Sequence, residues 1–299
     1  TDYEYHDIVK KSIEGYYQKT ESPSLAFLSK FKYLCGDYDN SRTYNSLVKY
    51  FDMVVARDEE IVIYCGVPSS ITLKIVKGIC STKINKYYNV TFLVEKPFGN
   101  SFKEFCEYTE VLKTYISIDH VRFIDHYLAK SAITEIKQVD INKIQKVEIT
   151  IYETEGVDHR LAYFDNVGLI NDMFQGHILS ILSKILGKNT SKLEMNDKVS
   201  SEIGQYRGYK GDLNIETYFK LRLKCEEVVI HINCGKKMGS NIKEIVLTDK
   251  NENEKSYSLL SKQNEYYTLF KNKHNNDYFL LDEDYKLYWN ITEQIKNDL

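Results

Sequence analysis

No run of about 18 consecutive apolar residues occurs anywhere in the 299 residues, so the sequence offers no membrane-spanning helix. Charge of one sign is also lacking. Forty Lys and Arg stand against 43 Asp and Glu, a formal charge of −3, which gives no overall attraction to nucleic acid or to an anionic membrane. An anionic ligand must therefore be held by a local cluster of cations. The six cysteines, Cys35, Cys65, Cys80, Cys106, Cys225 and Cys234, form neither a CxxC pair nor zinc-ligand spacing, and no metal site is expected. Nothing at the N-terminus reads as a secretion signal, so reduced thiols and a cytoplasmic location are expected. That reading leaves the sequons at Asn89, Asn189 and Asn290 without significance. There is no internal repeat. The first residue is Thr1 and not Met, which points to sequence upstream of it.

What is present divides into two patterns. Apolar residues recur at helical spacing from Tyr5 to Tyr17, after Ser22-Pro23, and from Ser41 to Val55. Three short, continuously apolar runs follow, Ile61 to Cys65, Val90 to Val94 and Val121 to Ile124, with helical stretches between them. Strands without a polar face, alternating with helices, predict a parallel sheet covered on both sides. In such sheets the chemistry gathers beyond the carboxyl ends of the strands. Those ends are Gly66-Val67-Pro68, Glu95-Lys96-Pro97 and Asp125-His126-Tyr127. After about residue 140, Lys146 to Tyr152, Thr217 to Leu223 and Val228 to Ile232 alternate polar and apolar residues, and Ile245 to Thr248 is a further strand. This pattern predicts an antiparallel sheet with one wet face. A long helix is expected from Val167 to Leu186 and another near Asp282 to Lys296. The fold class is thus α/β plus α+β: a Rossmann-like layer in residues 1–125, then an antiparallel sheet with helices on one face in 126–299.

The densest chemical signal is Arg122-Phe123-Ile124-Asp125-His126-Tyr127-Leu128-Ala129-Lys130, preceded by Glu95-Lys96-Pro97-Phe98-Gly99 at the end of the neighbouring strand. Lys96, His126, Tyr127 and Lys130 are donors converging on a strand-to-helix junction, an arrangement suited to a phosphomonoester. Taken singly, each is as well explained as a packed or solvated side chain. Three donors within five positions favour a ligand.

These stretches resemble the glucose-6-phosphate dehydrogenase signatures EKPFG and RIDHYLGK, with Ala129 for the family's Gly and Ser131 for its acidic residue. Residues Tyr163 to His177 are similar to the family's YFDxxGIIRDxxQNH segment, which ends in the catalytic histidine. The resemblance implies His177 as general base, with Asp125 fixing its tautomer. Asp172, roughly 140° round an ideal helix from His177, is assigned instead to sugar hydroxyls. Glu153 falls where the family has a sugar-binding Glu, and Cys234-Gly235-Lys236 resembles its CGK, whose Lys reaches the substrate. Tyr33-Leu34-Cys35-Gly36-Asp37-Tyr38-Asp39 resembles YxxGxYDD, and Lys30 then takes the place of an Arg that holds the 2′-phosphate of NADP. Lys keeps that charge but loses the planar fork. The implied coenzyme contacts are Lys30, Pro68, Lys96 and Pro97.

The implied activity is oxidation of glucose 6-phosphate with NADP, in a homodimer whose interface is the large sheet. The alternative is a homologue that binds glucose 6-phosphate as a sensor without oxidising it. No GxxGDLA-like turn occurs in residues 1–299, so this chain is expected to bind the sugar phosphate but NADP poorly. Asn241 and Ile242 stand where the family has a basic run, which argues against a second, structural NADP site.

Overall fold

The structure, a computed structural model, describes residues 2–17, 23–57, 59–136, 139–196, 199–260 and 264–299. Ser22, read from the sequence as preceding a helix, lies outside them. In chain order the elements of the first part are α1 (Asp2–Tyr17), α2 (Leu25–Leu28), α3 (Ser41–Val54), β1 (Glu60–Cys65), α4 (Ser69–Ser81), β2 (Asn89–Val94), α5 (Phe102–Tyr115), β3 (Val121–Ile124) and α6 (Ser131–Ile136). There follow β4 (Ile144–Tyr152), α7 (Leu161–Leu169), a π-helical segment Ile170–Ile178, α8 (Leu179–Leu186), β5 (Leu193–Met195), β6 (Glu202–Gly204), β7 (Tyr218–Cys225) and β8 (Val228–Gly235). The chain closes with β9 (Ile242–Asp249), β10 (Glu254–Ser258), α9 (Glu265–Lys271), β11 (Phe279–Leu280) and α10 (Asp282–Asp298).

Two compact units form: Thr1–Glu59 with Lys74–Asn89, and Glu60–Leu73 with Val90–Leu299. Their limits differ from a division at residue 125, because β1, β2 and β3 gather with the rest of the second unit. In the first unit Asn40 caps α3, its side chain accepting from the Arg42 amide. The Tyr44 hydroxyl donates to the Tyr38 carbonyl at 2.7 Å. Gly78 of α4 lies against the Tyr44 ring, where a Cβ would come within 2.1 Å of Cε2.

In the second unit a four-stranded sheet runs in the order β1-β2-β3-β11, with β2 and β3 parallel and β11 antiparallel to β3. Five of the six β2 residues are buried, as a strand covered on both faces requires. Leu93 and Ile124 pack with Leu269 of α9 and Phe279 of β11. A separate aromatic cluster joins Phe98, Phe105 and Phe123 to Tyr285 of α10, the Phe98 and Phe123 rings meeting edge to face at 4.8 Å.

The larger sheet has seven strands in the order β10-β9-β4-β8-β7-β5, with β6 also on β7. Every other residue of β7 is buried, Phe219, Leu221, Leu223 and Cys225, and Val147, Ile149 and Ile151 repeat the alternation on β4. The sheet is antiparallel except at one place: β4 and β8 run parallel, Lys146 opposite Val229 through to Tyr152 opposite Gly235. Alternation reports which face is wet and not the direction of the neighbour, so this pairing could not be read from the pattern. No described helix is long and apolar enough to cross a membrane.

Candidate active site

The site begins where β3 ends. Asp125 caps a 3-10 turn over His126–Ala129, its Oδ1 accepting from the Tyr127 amide at 3.0 Å. The same oxygen lies 2.7 Å from Nδ1 of His177. Asp125 is fully buried. β2 runs parallel to β3, so the loop after it emerges at the same end and brings the Lys96 ammonium to 3.1 Å from Asp125 Oδ2. Burial opposes ionisation of Asp125, but the Lys96 ammonium and the His177 ring outweigh it and hold the carboxyl well below the usual carboxylate range.

Burial shifts the two imidazoles the other way. His177 sits below its ordinary value because burial disfavours the imidazolium, even though Asp125 opposes that shift. His126, stacked on His177 with ring centroids 4.9 Å apart and planes 4° from parallel, is lowered to about 4 by burial and by the neighbouring ring. Tyr127 also stacks on His177, at 4.4 Å. At neutral pH both rings are therefore uncharged. With Nδ1–H donated to Asp125, Nε2 of His177 is left as an acceptor.

His177 is placed by a break in its helix. Gly168 takes φ 72 and ψ 164, a conformation closed to other residues, and the helix restarts with the Ile170 amide donating to Glu216 Oε1 at 2.7 Å. From Ile170 to Ile178 the turn is widened, closing with the Leu179 amide donating to the Phe174 carbonyl, an i→i−5 bond. The continuous α-helix expected over Val167–Leu186 is thus corrected to α7, a π-helical segment and α8. The angular estimate for Asp172 falls with it: five residues make about one π turn, so Asp172 and His177 line the same cavity.

That cavity, of about 200 Å³, is also walled by Lys96, Pro97 and His126, and by Tyr285 and Trp289 of α10. Neither α10 residue was singled out from the sequence. The available signal was the Tyr285-Tyr288-Trp289 spacing, an aromatic stripe that reads equally as core packing. Gly176, beside His177, has little room for a side chain, since a Cβ there would lie 3.2 Å from the Asn171 carbonyl and 4.0 Å from Lys96 Nζ.

Glu153 and Lys236 form a second cluster because they directly follow β4 and β8, whose parallel pairing brings their ends together. The Glu153 amide donates to the Gly235 carbonyl at 3.0 Å. Lys236 donates to Glu153 Oε2 at 2.5 Å, and Lys243 of β9 to Oε1 at 2.6 Å. Burial works against the Glu153 carboxylate, but the two ammonium groups bring it down to about 2. Lys236 is also 3.7 Å from Asp172, which Arg160 approaches to 3.7 Å. The two clusters are therefore joined through Asp172.

Lys130 does not line the cavity. It is buried over the Tyr127 ring and donates to Glu265 of α9 at 2.7 Å. Pro68 is exposed and starts α4, its carbonyl accepting from the Ile71 and Thr72 amides. Lys30 is exposed just after α2, in the first unit. Neither belongs to the cavity lining.

The Asp125–His177 pair thus stands at the strand ends of a parallel layer that is accompanied by a large, mostly antiparallel sheet. The fold is shared with a myo-inositol dehydrogenase from Corynebacterium glutamicum (TM-score 0.60, 12% identity, 82% of this chain and 80% of that one). It is shared more fully with a glucose-6-phosphate 1-dehydrogenase from Mycobacterium avium (TM-score 0.78, 20% identity, 99% of this chain and 82% of that one).

The chain belongs to the glucose-6-phosphate dehydrogenase family: residues 1–135 match the family's NAD binding domain and residues 136–203 its C-terminal domain. It is 26% identical over 303 residues to the glucose-6-phosphate 1-dehydrogenase of Borreliella burgdorferi, covering 84% of this chain and 62% of that protein. To the enzyme of Helicobacter pylori it is 28% identical over 168 residues, covering 53% and 38%. The chain thus spans less than two thirds of these relatives' lengths.

Proposed function

We propose that the chain is the greater part of a glucose-6-phosphate dehydrogenase, oxidising C1 of glucose 6-phosphate to the 6-phosphoglucono-lactone at the first step of the pentose phosphate pathway. The observation that carries this reading is the 2.7 Å contact between Asp125 and His177 beside the Lys96 ammonium. His177 Nε2 takes the proton of the C1 hydroxyl. Asp125 keeps the other ring nitrogen protonated and stabilises the imidazolium as it forms. Glu153 and Asp172 accept from the sugar hydroxyls, while Lys96, His126, Tyr127, Lys130 and Lys236 hold glucose 6-phosphate.

NADP, when bound, supplies the hydride acceptor. Lys96 and Pro97 suit its nicotinamide end, since both line the cavity beside His177. Lys30 and Pro68 are assigned to the remainder of the coenzyme. In this reading residues 1–125 are a partial coenzyme-binding portion and 126–299 the substrate and dimerisation portion of a cytoplasmic homodimer. Sedimentation as a monomer at micromolar concentration contradicts the dimer.

Calorimetric titration of the 299-residue chain with glucose 6-phosphate tests the substrate. Binding that is lost in Lys236→Ala is expected. Failure of the unaltered chain to bind at millimolar sugar phosphate overturns the assignment.

A further inference from the structure

Each ammonium group assigned to the substrate is met by a carboxylate: Lys96 by Asp125, Lys236 by Glu153 and Lys130 by Glu265. The first two carboxylates have work of their own in the proposed reaction, on the base and on the sugar. Glu265 has none. It is the first residue of α9, reaching Lys130 across 135 positions of sequence, and the contact is well shielded, with side-chain exposures of 10% for Lys130 and 23% for Glu265. Lys130 has three N–H donors, but a phosphate oxygen that takes one of them beside Glu265 stands against a like charge in a shielded place. A phosphomonoester arriving there is repelled until that charge turns away.

The departure is local. Leu269, one turn further along α9, is locked into the core with Leu93, Ile124, Ala129 and Phe279. The helix therefore stays in place, and Glu265, at its solvent-side start, leaves by turning its side chain. A hexose without a phosphate has no need to displace it, because a neutral 6-hydroxyl can donate to the carboxylate. We propose, on the basis of the dehydrogenase reading, that Glu265 is a specificity-determining residue: it competes with the 6-phosphate for Lys130 and narrows the preference for phosphorylated over unphosphorylated hexose.

The test is calorimetric titration of the full chain and of Glu265→Gln and Glu265→Ser with glucose 6-phosphate and with glucose, alongside thermal unfolding to establish that each variant is folded. Both variants tighten glucose 6-phosphate by about tenfold, the scale set by removing a juxtaposed like charge, and leave glucose unchanged or weaker. Adding Lys130→Ala abolishes the gain. Measurable but unchanged or weakened binding of glucose 6-phosphate in both variants overturns the role of Glu265 and leaves the dehydrogenase reading standing. Absence of binding in the unaltered chain and both variants overturns the dehydrogenase reading, and this proposal with it.

Discussion

Asp172 and His177, five residues apart in sequence, stand on the wall of one cavity because the helix between them is wound with π and not α spacing. The widened turn follows a single glycine held in a left-handed conformation with the Glu216 carboxylate against it. In the proposed reaction, an acceptor for the sugar hydroxyls and a base for the C1 proton thereby come from one short segment.

Replacing Gly168 with Ala tests that dependence. The new Cβ would lie 2.9 Å from Glu216 Oε1 and would impose a strained φ of 72. A loss of about 1–3 kcal/mol in denaturant unfolding is expected, together with reduced turnover as His177 shifts. Unchanged stability would show that the kink does not need glycine.

His177→Asn keeps a polar side chain near Asp125 but removes the base. Turnover should fall by about 10²–10⁴-fold while glucose 6-phosphate affinity, read by calorimetry, changes little. A matching loss of affinity would assign His177 to binding instead of proton transfer.

The two depressed imidazoles set an acid limit to stability. A base with a folded pKa below its unfolded one is favoured in the fold only while neutral, so stability is complete above the unfolded value of about 6.5 and declines as pH falls from there toward the folded value. For His126, at about 4, the loss by pH 4 is about 3 kcal/mol. Glu153, folded at about 2, adds a further decline only below about pH 4.5. Unfolding measured from pH 7.5 to 4 should weaken from the start of that acid range, and His126→Phe should blunt the loss. A flat profile down to pH 5 would show that the rings are not held neutral.

The Tyr285 hydroxyl donates to Gln175 Oε1 at 3.1 Å, and Gln175 Nε2 has no partner among the described residues. Tyr285→Phe leaves the buried amide wholly unpaired and should cost about 1–3 kcal/mol. The kinetic effect should be smaller than that of His177→Asn. If stability is unchanged, Gln175 has another partner.

Much of this was legible in sequence where the signal is local. The strands β1, β2 and β3 appear as uninterrupted apolar runs, although β1 is buried only at Ile61 and Cys65. The residues after β2 and β3, Lys96, Asp125 and His126, meet at the site, while Pro68 after β1 does not line it. The resemblance paired Asp125 with His177, and the two lie 2.7 Å apart. The unread parts depend on long-range geometry. Nothing near Lys130 announces Glu265, and nothing in α10 separates an aromatic that walls a cavity from one that fills a core. The π turn was hidden because the same residues satisfy a 3.6 period closely enough to be read as α-helix.

The parallel pairing of β4 with β8 has a consequence for the order in which the protein assembles. A hairpin such as β7–β8 closes across two residues, whereas β4 finds β8 only after the intervening helices and strands have been gathered, and Glu153 and Lys236 are 83 residues apart. Such pairings raise contact order and come late. In pulse-labelled amide exchange during refolding, the β7–β8 hairpin should gain protection before the β4–β8 ladder does. The three charges would then meet only near the end of folding, so a partly folded chain would expose Glu153, Lys236 and Lys243 as separate, hydrated ions.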